Sequence, residues 1–66
     1  MNAKEILMGA LQYYSIAIIK IENNKITIGR NYEVEIESNG LYKLLSDGQV
    51  IAPFDDVDEL CRFVLL

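Results

Sequence analysis

Residues 32–54 read YEVEIESNGLYKLLSDGQVIAPF, and the parity of their side chains decides which side of the sheet is core. Glu33, Glu35 and Glu37 alternate with Val34 and Ile36, the period-two pattern of a half-buried strand. Asn39-Gly40 and Asp47-Gly48 are dipeptides that favour two-residue type I′ turns, in which both central residues take positive φ. They predict strands near 33–37, 41–46 and 49–54. Pro53 has no N–H to give to a ladder and marks the last of these as an edge there, or its end as already leaving the sheet.

Two-residue turns fix the register. Around Asn39-Gly40, Glu37 then pairs with Tyr42, Ile36 with Lys43 and Glu35 with Leu44. Around Asp47-Gly48, Leu44 pairs with Ile51 and Tyr42 with Pro53. One face would carry Val34, Ile36, Leu41, Leu45, Val50, Ala52 and Phe54, with Lys43 as its misfit, and is read as core. The other would carry Glu33, Glu35, Glu37, Tyr42, Leu44, Ile51 and Pro53, a row of carboxylates beside a small apolar cluster.

Upstream, Ile26, Ile28, Arg30, Tyr32, Val34 and Ile36 share one parity. Residues 25–37 therefore read either as one strand bent at Gly29 or as two strands around a Gly29-Arg30-Asn31 turn. Before them, SIAIIKIE (residues 15–22) is rich in β-branched side chains, and Asn23-Asn24 offers a turn that sets Ile21 opposite Ile26 and Ile19 opposite Ile28. Residues 2–14 read as a helix opened by an Asn2/Glu5 capping box, with Met1 stapled onto Ile6. Its inward side is read as Ala3, Ile6, Leu7, Ala10, Tyr13 and Tyr14.

At the other end, DGQVIAPFDDVDELCRFV (residues 47–64) reads as a strand leading into a helix capped by Asp55 or Asp56. Val57, Leu60, Cys61 and Val64 form its inward stripe, while Phe63 and Leu66 fall off it. The expected architecture is one α+β domain over residues 1–66. It is an antiparallel β-meander of four or five strands with both terminal helices on one face.

Composition narrows the function. The 66 residues are 52% hydrophobic and 24% charged, as in an ordinary globular domain. Six Lys/Arg against ten Asp/Glu give a net charge of −4, and the scattered basic residues form no footprint for nucleic acid. The apolar run over residues 6–19 is interrupted by Gln12, Tyr13, Tyr14 and Ser15 and lacks a basic leader, so neither a membrane span nor a targeting segment is expected. A single cysteine, Cys61, suits a reducing, cytoplasmic setting.

Catalysis finds little foothold, and no enzyme, cofactor or small-molecule site is expected. The chain has no histidine, which removes the commonest base and metal ligand. Cys61 reads as a small core hydrophobe, and Tyr13, Tyr14 and Tyr32 as core or sheet aromatics. The cluster Asp55, Asp56, Asp58 and Glu59 lacks the central glycine of a calcium loop and is better explained by helix capping. Arg30 is the one residue that hints at an anion contact, and snorkelling at the sheet end explains it as well.

The expected role is protein interaction. Small domains without disulfides or metals commonly gain stability by self-association. A second copy of the chain is the expected partner, with Tyr42, Leu44, Ile51 and Pro53 of the outer face and Phe63 of the last helix as the interface. The alternative is a decoy or adaptor that presents Glu33, Glu35 and Glu37 to a basic, nucleic-acid-binding protein.

Overall fold

The computed structural model describes residues 2–66. Asn2 opens the first helix, α1 (Ala3–Tyr13), with a reciprocal capping box. Its side-chain oxygen accepts from the Glu5 N–H at 2.9 Å, and its own N–H donates to Glu5 Oε1 at 3.2 Å. The expected Met1 staple lies outside the described residues. The inward side of α1 is turned from the expected one. Leu7 and Leu11 are buried, while Ile6 is exposed and Tyr13 is 81% exposed. Leu11 lies four residues after Leu7, so burial of both sets the helix's rotation and leaves Ile6 and Tyr13 outside.

The helix ends in a Schellman motif that uses serine where glycine is usual. Ser15 takes φ 58°, the Ser15 N–H donates to the Gln12 carbonyl, and the Ile16 N–H donates to that of Leu11. Ile16 is thereby tucked into the core, and the chain turns into the sheet.

Five strands follow in meander order: β1 (Ile18–Glu22), β2 (Lys25–Ile28), β3 (Tyr32–Ile36), β4 (Tyr42–Ser46) and β5 (Gln49–Phe54). All neighbours are antiparallel. The Ile21–Ile26 pairing is as expected, but a bulge at Ile19 places Ile18, not Ile19, opposite Ile28. Residues 25–37 are two strands. Gly29–Asn31 form the turn, with Arg30 and Asn31 both left-handed at φ 64° and 63°.

That turn meets the second helix, α2 (Val57–Val64). Arg30 Nη1 donates to the carbonyls of Val64 at 2.9 Å and Leu66 at 3.3 Å. A cation thus covers carbonyls that have no partner within the helix, at the negative end of its dipole. These bonds offset the strain of left-handed Arg30, roughly 1–2 kcal/mol, while Asn31 is of a type that tolerates the conformation. At the other end Asp56 caps α2 by accepting from the Asp58 N–H at 2.8 Å. Both helices lie on one face of the sheet. Leu7, Leu11, Leu60, Cys61 and Val64 share a single core with Ile26, Ile28, Val34, Tyr42 and Leu44.

The decisive departure is at residues 37–41. Of Asn39 and Gly40, only Gly40 has positive φ, at 88°, so the turn is not type I′. The Glu37 N–H donates to the Leu41 carbonyl at 2.8 Å, the Gly40 N–H donates to that of Glu37 at 3.0 Å, and Asn39 Oδ1 accepts from the Leu41 N–H. Three residues, 38–40, therefore form the loop. The extra residue slips the register by one: Val34 pairs with Leu44, Glu35 with Lys43 and Ile36 with Tyr42. A slip of one residue exchanges the faces of a strand. Tyr42 and Leu44 go into the core, and Leu45 comes out of it.

Asp47-Gly48 does form the two-residue turn, with φ 53° and 77°. A second bulge, at Ile51, follows: Leu45 pairs with Val50, whereas Leu44 pairs with Ala52 and Tyr42 with Phe54. It returns Ala52 and Phe54 to the helix side and leaves Val50 exposed.

Left-handed positions at Ser15 and Gly40 give opposite predictions. A Cβ built at Gly40 meets nothing within 4 Å, so Gly40→Ala probes backbone conformation alone and should lose about 1–2 kcal/mol. Ser15→Gly should gain about 0.5–1 kcal/mol. Urea midpoints at constant m-value would read both, and a neutral Gly40→Ala would contradict the turn described here.

Candidate interaction surface

The face away from the helices is built from every second residue of the five strands. Reading across the ladder, Glu22 lies beside Lys25, Lys25 beside Glu35, Glu35 beside Lys43, and Lys43 beside Pro53. Signs alternate at each step from Glu22 to Lys43. A parallel row runs through Lys20, Thr27, Glu33, Leu45 and Val50. Lys43, the apparent misfit of the sequence, is therefore in place on this face, where its Nζ lies 3.3 Å from Glu37.

Glu33, Glu35 and Glu37 share this face along β3, as expected, but lysines flank part of the row: Glu35 lies between Lys25 and Lys43, and Glu37 contacts Lys43. Lys20, Lys25 and Lys43 stand among Glu22, Glu33, Glu35 and Glu37, so three positive charges against four negative give this face −1 of the total of −4. Opposite charges directly across strands contribute roughly 0.2–1 kcal/mol per pair, which gives the row a structural reason to exist. The denser negative charge is at the start of α2, where Asp56 caps and Asp58 and Glu59 occupy the first turn.

The expected interface residues are dispersed. Tyr42 is 4% exposed and Leu44 fully buried, so both belong to the core of the single chain and not to an outer surface. The Tyr42 hydroxyl donates to the Ala3 carbonyl at 2.9 Å and ties β4 to the first turn of α1. Ile51 is the exposed bulge residue of β5, and Pro53 is exposed opposite Lys43. Phe63 is half-buried, with its ring 5.8 Å from Phe54 and 6.5 Å from Tyr32, where it closes the seam between α2 and the sheet. Being off the inward stripe, it packs sideways onto sheet aromatics, a contact that helical periodicity does not reveal. Leu45 is the one buried residue on the outer face among the described residues, and it lies outside the helix-side core.

Among the described residues, the exposed large aliphatic side chains are Ile6 on α1, Leu65 and Leu66 after α2, and four on the open edge strands of the sheet. The sheet order ends at β1 on one side and β5 on the other. Ile19 and Ile21 are exposed on β1, and Val50 and Ile51 on β5. Sequence parity missed this grouping because both edges carry a bulge, at Ile19 and at Ile51, that no local signal announces.

The remaining candidates are occupied structurally. Cys61 is buried, and burial, with the Asp58 carboxylate adding to it, pushes its thiol up to about 11. It is a protonated core residue near neutral pH, not a nucleophile. The Tyr14 hydroxyl donates to Asp58 at 3.1 Å across the two helices. An open groove of about 610 Å³ lies between the helix N-termini and the 37–41 turn, bordered by Ala3, Ile6, Tyr42, Asp55, Asp56 and Glu59. Two of its polar groups are already engaged, Tyr42 with Ala3 and Asp56 with the helix it caps. Among the described residues, no helix is long and apolar enough to cross a membrane. No family model, curated protein or solved structure matches the chain.

The raised thiol carries a pH consequence. The folded state holds the Cys61 proton more tightly than the unfolded state does. Its contribution is therefore fully present below about pH 9 and is lost as the pH rises toward 11. Burial raises the Tyr42 phenol in the same direction. The urea midpoint should fall across this interval, and the fall should be smaller in Cys61→Ala. An equal fall in both proteins would remove Cys61 from the cause.

Proposed function

We propose that the protein is a small non-enzymatic interaction module that works as a homodimer and associates along an edge of its sheet. One observation carries the reading: the exposed aliphatic pairs Ile19/Ile21 and Val50/Ile51 lie on the two strands whose outer edges have no neighbour. An open edge presents unpaired N–H and C=O groups to another strand, and exposed apolar side chains beside them add area that association removes from water.

The supporting chemistry is consistent with a binding role. The thiol of Cys61 is buried and protonated near neutral pH, and the chain has no histidine, which removes the commonest candidates for nucleophile and base. A lone thiol kept in the core also suits a reducing cytoplasm. The acidic-decoy alternative has less support, since two of its three carboxylates already have lysine neighbours: Glu35 lies between Lys25 and Lys43, and Glu37 contacts Lys43.

An edge contact is smaller than a standard protein interface, so the dimer should be concentration-dependent. Light scattering on a size-exclusion column, over about a hundredfold range of loading, should show the mass climbing from 7.5 kDa toward twice that value. A mass fixed at that of one chain throughout the range would refute self-association.

A further inference from the structure

We infer that the dimer forms by antiparallel pairing of β1 with β1 of a second copy, with the two-fold axis passing beside Ile21, to give a continuous ten-stranded sheet. This rests on the homodimer reading above and specifies its surface and register.

The choice of edge follows from what blocks the other. β5 carries Pro53, which has no N–H to donate, and a bulge at Ile51, and α2 packs beside it through Phe63 and Phe54. β1 has no proline, and all four residues from Ile19 to Glu22 are exposed. Its bulge at Ile19 confines regular pairing to the segment beyond it, Lys20–Glu22.

The register follows from symmetry and charge. In an antiparallel pair, residues directly opposite share a face, so a two-fold contact must centre on a residue and not between two. Centring on Lys20 would set Lys20 against its own copy, and centring on Glu22 would do the same for Glu22. Like charges directly opposite are destabilising. Centring on Ile21 sets Ile21 against Ile21, Lys20 against Glu22 and Glu22 against Lys20. The alternation of signs that runs from Lys43 through Glu35 and Lys25 to Glu22 then continues one step across the axis, to Lys20 of the second copy. Ile21, about half-exposed in the single chain, meets its own copy on the helix side of the sheet. The contact closes as a dimer, because each copy uses its one accessible edge and the blocked β5 edges end the sheet.

Charge exchange tests this pairing. Lys20→Glu sets glutamate against glutamate twice in its own dimer, and Glu22→Lys sets lysine against lysine twice. In a mixed dimer, both glutamates of the first variant would face lysines of the second, which restores two opposite-charge pairs across the axis. Both native side chains are more than half exposed, at 65% and 57%, so each variant should keep the fold. At a concentration where the wild type is dimeric, each variant alone should read near 7.5 kDa by native mass spectrometry, and an equimolar mixture should return to the dimer mass. As a second measurement, Ile21→Cys should crosslink to a disulfide dimer on mild oxidation, and Ile51→Cys should not, with Cys61 buried in both. A wild-type dimer unaffected by Lys20→Glu, or crosslinked through Ile51→Cys and not Ile21→Cys, would overturn the β1 pairing and leave homodimerisation standing. A wild type that stays monomeric would overturn both.

Discussion

The left-handed conformation of Gly40 is the constraint on which the rest depends. It lets residues 38–40 form a three-residue loop closed between Glu37 and Leu41, and the loop length sets the parity of β4. With that parity, Tyr42 and Leu44 face the helices, the Tyr42 hydroxyl reaches the Ala3 carbonyl, and Lys43 stands opposite Glu35. With the other parity, a lysine would be buried without a partner while tyrosine and leucine lay beside carboxylates. Burying an unpaired ammonium costs several kcal/mol, so the loop and the hydrophobic pattern enforce each other.

From that parity follow both faces of the protein. The inner one is a single apolar core shared by the two helices and the sheet. The outer one is a ladder of alternating charge with little net field. A surface of this kind is poorly suited to long-range attraction of a strongly charged partner, and well suited to a neighbour carrying the same alternation in reverse. Two bulges and Pro53 then decide how much of each sheet edge can accept such a neighbour. In the proposed dimer, association is thus a matter of edges, and the irregularities of the strands set which edge segment stays regular enough to pair.

Most of the architecture was legible in the sequence. The Asn2/Glu5 box, the α2 stripe of Leu60, Cys61 and Val64, the Asp47-Gly48 hairpin and the α+β meander all follow from local signals that the tertiary structure keeps. The candidate surface was not. Asn-Gly fits a two-residue turn and equally the last two positions of a three-residue loop, and the two choices exchange faces. Lys43 in the presumed core was the sign that the second choice applied. Bulges at Ile19 and Ile51 leave no such sign, because they depend on how neighbouring strands meet the core. The Gly29-Arg30-Asn31 turn was one of two readings the sequence left open; the contact it makes was not legible, because parity has no meaning in a turn, where two left-handed residues aim Arg30 at the end of α2.

The register around Gly40 is open to direct measurement by nuclear Overhauser contacts in solution. The three-residue loop predicts cross-strand contacts between Val34 and Leu44, together with contacts from the Tyr42 ring to the Ala3 methyl in the first turn of α1. Contacts from Leu44 to Glu35, with a Tyr42 ring that meets neither helix, would contradict it and return the outer face to tyrosine, leucine and glutamate.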